Sequence, residues 1–269
     1  MSRYNSLFCQ LRERNQAAFV PFVMIGDPDP NSSFDIICQL IESGADALEL
    51  GFPYSDPIAD GPTIQKAAIR ALKAGATPSR CFAVLTKVRS RYPDIPVGLL
   101  LYSNLVLAKG MNAFYQQAKD AGVDSILIAD VPLREIEPFK QAANKSGIEQ
   151  ILIAPPNASD EALSDVAKAS CGYTYVLGRA GVTGAETDAD LDAKALLDKL
   201  HQANSAPSLL GFGISRPEQV KQAVKAGAAG AISGSATVNI IERNLDDKQQ
   251  MLMKLDEFIA SMKAAANKD

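Results

Sequence analysis

A glutamate set between leucines is the first group in this chain that could do chemistry: Glu49 lies in the run DALELG, residues 46–51, between Leu48 and Leu50. Burying a carboxylate is costly unless it is paired or protonated, and that cost raises its pKa toward neutrality, as a proton shuttle requires. A buried structural ion pair is the competing explanation. In the alternation of the strand, Glu49 points either into the fold's interior or toward the surrounding helices. Further carboxylates follow at Asp56 and Asp60, in a loop braced by Pro53, Pro57 and Pro62. So stiff a loop is a costly way to build a mere connector. One strand-end carboxylate and one loop carboxylate can divide acid and base roles between them.

A second chemistry is anion binding. The stretches GFGIS (211–215) and SGS (233–235) each follow a short apolar run, and the second leads into the short helical segment ATVNII. Backbone N–H groups at a helix start attract anions, and glycine lets the backbone approach closely, so Gly213, Gly234 and Ser235 form a candidate phosphate cradle. Tight turns alone would also use these glycines. The stretch GRAGVTGAETDAD (178–190) carries Gly178, Gly181 and Gly184 and reads as a closing lid, with Thr183 available as a contact; a loose surface loop is the alternative.

Other chemistries lack their residues. The single histidine, His201, falls in a helical segment, and Cys9, Cys38, Cys81 and Cys171 are scattered without a C-x-x-C, so no metal site is expected. No lysine ends an apolar run, Lys109 being the nearest candidate, so a Schiff-base nucleophile is missing as well. Proton transfer by carboxylates remains.

The elements that must position these groups alternate along the chain. Eight strand-length apolar runs stand at 19–24, 46–51, 97–102, 124–129, 150–154, 174–178, 208–213 and 230–234. Helical spacing fills the gaps, as in Ile37, Leu40 and Ile41 or Val220, Ala223 and Val224. Thr77-Pro78 reads as an N-cap with proline at the first helical position, and Ser215 with Pro217 and Glu218 reads as a capping box. Gly44, Gly122 and Gly227 each end a helix just before a strand. The doubled gap after the second run predicts an additional helix near residues 78–92, and the charged, striped N-terminus predicts an extra helix ahead of the first strand. The pattern predicts a (β/α)8 barrel spanning residues 1–269 as a single domain. An open doubly wound sheet would give the same alternation, but no G-x-G-x-x-G follows the first run. In a closed barrel, catalytic groups gather at the carboxyl ends of the strands, and phosphate sits on the loops after strands 7 and 8, where both glycine stretches fall.

The formal charge of −4 with scattered basic residues argues against nucleic acid as a partner. The longest apolar runs are far too short to span a membrane, and the N-terminus lacks the apolar core of a signal peptide. The cysteines read as packed thiols of a reducing cytoplasm.

Taken together, VPFVMIGDP (20–28), ALELGFPYSDPIADGPTIQ (47–65), DVP (130–132), PPNA (155–158), YVLGRAGVTGAE (175–186), GFGIS (211–215) and GAISGSA (230–236) resemble the tryptophan synthase alpha subunit along essentially the whole chain. The resemblance implies retro-aldol cleavage of indole-3-glycerol phosphate to indole and glyceraldehyde 3-phosphate. It implies that Glu49 protonates indole C3 and accepts the 3′-hydroxyl proton, and that Asp60 interacts with the indole N–H. It adds Gly184 to the phosphate site and has Phe22, Leu100, Tyr102, Leu127, Ala129 and Tyr175 line the indole pocket or support the carboxylates. It further implies no cofactor in this chain, a pyridoxal-phosphate beta subunit as partner in an αββα assembly, and a partner contact at Pro53, Asp56 and Pro57. Met24, Phe52 and Gly178 depart from the family pattern, which has a small polar residue, a smaller aliphatic and often a serine there. Two other activities share the phosphate site: an isomerase acting on a related phosphorylated anthranilate, and a non-catalytic subunit that binds sugar phosphates and activates a partner.

Overall fold

The computed structural model describes residues 2–178 and 193–268. Eight parallel strands, β1 (Ala18–Met24), β2 (Leu48–Gly51), β3 (Val97–Leu101), β4 (Ser125–Ile128), β5 (Glu149–Ala154), β6 (Thr174–Leu177), β7 (Ser208–Gly211) and β8 (Gly230–Ser233), hydrogen-bond in chain order. The sheet closes because β1 pairs with β8, from Ala18 opposite Gly230 to Pro21 opposite Ser233. That pairing excludes the open sheet.

Helices wrap this barrel. α1 (Arg3–Glu13) precedes β1 and α2 (Pro30–Glu42) follows it; α3 (Pro62–Lys73) and α4 (Pro78–Arg91) both lie between β2 and β3, as the doubled gap predicts. α5 (Ser103–Lys109) and α6 (Met111–Asp120) follow β3, α7 (Glu137–Ser146) follows β4, and α8 (Asp160–Ala169) follows β5. α9 (Ala193–Gln202) precedes β7, α10 (Pro217–Lys225) precedes β8, and α11 (Ser235–Arg243) and α12 (Lys248–Ala264) complete the ring. Among the described residues, no helix is long and apolar enough to cross a membrane.

The punctuation works largely as the sequence indicates. Gly44, Gly122 and Gly227 hold φ of 102°, 84° and 102°, and the amide just beyond each folds back onto the helix: Ala45 to Leu40 O at 3.1 Å, Val123 to Ala118 O at 3.0 Å, Ala228 to Ala223 O at 3.0 Å. Two of these stops then hand over to an aspartate. Asp46 Oδ2 accepts the Phe19 amide at 2.7 Å, and Asp124 Oδ2 accepts the Val97 amide at 2.8 Å. Each carboxylate thus satisfies an amide at the start of a neighbouring strand, and β2 and β4 start later than the apolar runs that include these aspartates. Thr77 caps α4 through the Arg80 amide at 3.4 Å. The cap of α10 differs from the Ser215–Glu218 expectation. Pro217 is itself the first helical residue, so Arg216 is the N-cap and the side chain reaching back is Gln219, whose Oε1 accepts from the amides of Ser215 at 2.8 Å and Arg216 at 3.0 Å.

Two apolar clusters hold the fold. The larger lies between strands and helices; the smaller fills the barrel, where Val20, Leu127, Ile151, Leu209 and Ile232 meet Tyr4, Phe8 and Leu11 of α1. The N-terminal helix is therefore a plug. Tyr4 hydrogen-bonds Ser125 Oγ at 3.0 Å inside the barrel, and its ring lies 5.4 Å from that of Tyr173.

Candidate active site

Glu49 stands in β2 opposite Phe22 of β1 and Gly98 of β3. Its side chain turns into the barrel interior, is 2% exposed, and accepts the Tyr173 hydroxyl at 3.0 Å. Among the described residues its partner is a phenol rather than a cation, so the ion-pair explanation does not hold. Burial pushes the Glu49 carboxyl up to about 8; the Tyr173 hydrogen bond opposes this, and the charge of Asp60 adds to it.

Asp60 reaches the same space from the β2–α3 loop and is 6% exposed. Tyr102, which caps α5, pins this loop twice: its oxygen accepts the Ala59 amide at 3.1 Å, and its own proton goes to the Asp60 carboxylate. The Tyr54 ring stacks on Tyr102 at 5.3 Å, and Asn104 Nδ2 donates to the Tyr54 hydroxyl at 2.6 Å. Burial raises Asp60 to about 6, opposed by the Tyr102 hydrogen bond. Near neutral pH one carboxyl of the pair therefore keeps its proton while the other has lost it, a division suited to acid–base work.

Both carboxylates line one largely apolar cavity. Its walls include Phe22, Leu100, Leu127, Ala129, Tyr175, Gly234 and Ser235, so nine of the residues singled out in the sequence meet in one place. Tyr102 stands behind Asp60. Gly213 is not in the cavity wall; it lies beside Phe212, which is, with φ of 84° and 68° respectively. The Ser233 hydroxyl donates to the Ile214 carbonyl at 2.7 Å, tying the loop after β7 to the end of β8, so the two glycine stretches lie side by side. At the second of these, α11 begins at Ser235 and its first internal bond runs from Val238 to Gly234, which leaves first-turn amides for a ligand. Thr183, Gly184 and the rest of the expected lid beyond Gly178 lie outside the described residues.

The sequence reading missed Tyr173, Ala59, Ile64, Ile153, Phe212 and Ile232. Three of these carry a usable signal, since Tyr173, Ile151 with Ile153, and Ile232 stand two residues from other inward-facing positions. Phe212 does not, because a bulky residue at positive φ is unusual. Met24 and Phe52 are buried, and the Phe52 ring packs on those of Phe82 and Phe114 at 5.2 and 6.1 Å. The Gly178 amide continues the ladder to Gly211 O at 2.9 Å.

A larger cleft opens at the opposite, amino-terminal end of the barrel, between α1 and the strand starts carrying Asp46, Asp124 and Glu149. Two of its aspartates are already engaged, Asp124 by Arg3 and Arg89 and Asp46 by Lys263, and in a closed barrel catalytic groups gather at the carboxyl ends of the strands, which makes the carboxyl-terminal cavity the candidate site.

The family model for tryptophan synthase alpha chains matches residues 8–267. The chain belongs to the tryptophan synthase alpha chain family. It is 59% identical over 268 residues to the tryptophan synthase alpha chain of Vibrio parahaemolyticus, covering 100% of both chains. It is also 59% identical over 264 residues to that of Francisella tularensis, covering 98% of each. Among solved structures, tryptophan synthase subunit alpha from Legionella pneumophila superposes with a TM-score of 0.90 at 30% identity, with 100% of both chains covered. The barrel, its plug and its additional helices are thus those of a tryptophan synthase alpha chain.

Proposed function

We propose that Glu49 and Asp60 carry out the lyase reaction of a tryptophan synthase alpha chain, the retro-aldol cleavage of indole-3-glycerol phosphate to indole and glyceraldehyde 3-phosphate. The supporting observation is the pair itself: two buried carboxyls in one apolar cavity, raised to about 8 and about 6. Protonated Glu49 gives its proton to indole C3, which becomes tetrahedral and leaves the ring nitrogen positive. Ionised Asp60, facing the ring N–H, stabilises that charge in a site shielded from water. The Glu49 carboxylate then takes the 3′-hydroxyl proton. As the aldehyde carbonyl forms, the carbon–carbon bond breaks and its electron pair restores the aromatic ring. Glu49 ends the cycle protonated, so the pair needs no outside base.

Phe22, Leu100, Leu127, Ala129 and Tyr175 form the wall for the indole ring, with Tyr102 holding Asp60. Gly213, Gly234 and Ser235 hold the phosphate, joined by Gly184, and Thr183 contacts the substrate. The partner is a beta subunit that carries pyridoxal phosphate, in an αββα assembly within the cytoplasm, and residues 1–269 form one domain. The contact at Pro53, Asp56 and Pro57 is supported by Ile58, which stands 78% exposed in the same loop. Incubating the purified chain with indole-3-glycerol phosphate is expected to release indole slowly, and faster with a beta subunit. Absence of indole under both conditions overturns the assignment, and a rearranged phosphate ester in its place identifies an isomerase.

A further inference from the structure

Arg70 touches neither the cavity nor the carboxylates that line it, yet it joins the elements that carry them. From α3 its Nε and Nη2 donate to the two oxygens of Asp27 at 2.8 and 2.9 Å. Asp27 lies in the loop after β1 and is 1% exposed. The same guanidinium places Nη1 3.7 Å from Glu242 of α11, and Lys66, one turn earlier on α3, reaches the same Glu242 oxygen at 3.1 Å. One partly buried cation therefore connects the loop after β1, α3 and α11.

What these elements hold gives the connection its meaning. α3 starts at Pro62, two residues after Asp60, and contributes Ile64 to the cavity wall; α11 starts at Ser235, beside Gly234. Helices over two or three turns behave as stiff rods. A paired guanidinium–carboxylate fork fixes orientation as well as distance, which a single point charge does not. We propose that Arg70 is a positioning residue that sets the spacing between the carboxylate end of the cavity at Asp60 and its anion end at Gly234 and Ser235, and so selects substrates by the length between ring and phosphate. This rests on the reading of the cavity given above.

A ligand that spans both ends feels their separation, whereas a fragment at either end does not. Joining two fragments raises affinity only while the geometry lets both engage together, and a displacement of about 1 Å can cost about a hundredfold in rate. A bridge that merely held helices on the barrel would have another signature: all ligands would weaken in parallel.

The test uses the full chain and two variants. Glu242→Gln removes the charge link from Arg70 and Lys66 to α11 while leaving the Asp27–Arg70 pair intact, and Arg70→Lys keeps the charge but loses the fork. Titrations compare indole, inorganic phosphate, and non-cleavable analogues in which two, three or four saturated carbons join indole to phosphate. In both variants the Kd of the three-carbon analogue is expected to rise by about tenfold or more, and the preference among linker lengths to flatten. The Kd values of indole and of phosphate alone stay within about twofold. Unchanged binding of the joined analogue in folded variants overturns the proposal, as does a parallel loss for all ligands. If Arg70→Lys does not fold, Glu242→Gln alone decides. Should the wild-type chain bind the joined analogue no better than its fragments, it is the reading of the cavity that falls, independently of Arg70.

Discussion

The hydroxyl of Tyr173 donates to Glu49 Oε1 at 3.0 Å inside the barrel. Tyr173 precedes β6 while Glu49 belongs to β2, so the bond crosses the barrel and anchors the carboxyl from below, with the Tyr4 ring of the plug packed against the phenol. A hydrogen bond to the ionised form favours it, so this phenol works against the burial that keeps Glu49 protonated.

Replacing Glu49 with Gln is expected to lower kcat by about 10²- to 10⁴-fold, the usual share of a positioned acid–base group. Substrate binding should persist, since the amide fills the same volume. Steady-state kinetics alongside calorimetric titration with a non-cleavable indole phosphate separate the two effects, and turnover at the wild-type rate would remove Glu49 from the reaction.

In the proposed reaction the free enzyme is reactive when Asp60 is ionised and Glu49 is protonated. With the two raised to about 6 and about 8, kcat/KM is expected to follow a bell with limbs near those values. Removing the phenols shifts the limbs differently. Tyr102→Phe takes a proton donor from Asp60, moves the acid limb upward and narrows the bell; Tyr173→Phe takes one from Glu49, moves the alkaline limb upward and widens it. A pH–rate series on the three proteins reads both shifts, and limbs that stay fixed contradict the assignment.

Stability should show the reverse of activity. The fold favours protonated Glu49, whose pKa rises from 4.5 to about 8. Its contribution is therefore fully present below pH 4.5 and is lost as pH rises toward about 8. Glu49→Gln carries no such charge, so at neutral pH it is expected to exceed the wild type by about 3 kcal/mol, with the gap closing in acid. Denaturant unfolding at pH 4.5 and pH 7.5 measures this, and a gap independent of pH would refute it.

Ile58 offers a test of the partner face. An aspartate there adds charge at an exposed apolar point beside Pro57, leaving the buried Asp60 carboxyl in place. The Ile58→Asp chain is expected to release indole alone at the wild-type rate and to gain less when a beta subunit is added. Equal activation across a beta-subunit titration would place the contact elsewhere.

Much of the fold was legible because its signals are local. Apolar runs mark strands buried on both faces, and glycine after a helical stripe marks a stop wherever the chain must take positive φ, as at Gly44 and Gly227. Glu49 stood out because a carboxylate inside a strand is costly, and Asp60 because proline braces its loop. What could not be read depends on contacts distant in sequence. Asp46 counts as strand by its neighbours, but its side chain is committed to the Phe19 amide. Tyr102 ends an apolar run, and only the family resemblance points to it; it caps α5 and holds Asp60. The break between α5 and α6 rests on Gly110 at φ 85°, and α12 packs by pairings such as Lys263 with Asp46. The link from Tyr173 to Glu49 spans 124 residues, so no local pattern encodes it.

The tyrosine, phenylalanine and leucine that α1 pushes into the barrel close its floor. The reaction chamber is a cup and not a pipe: through the described residues, whatever enters from the rim must return to the rim. A ligand that enters this cup therefore leaves past the same residues that admitted it, and the helix that imposes this lies at the other end of the molecule.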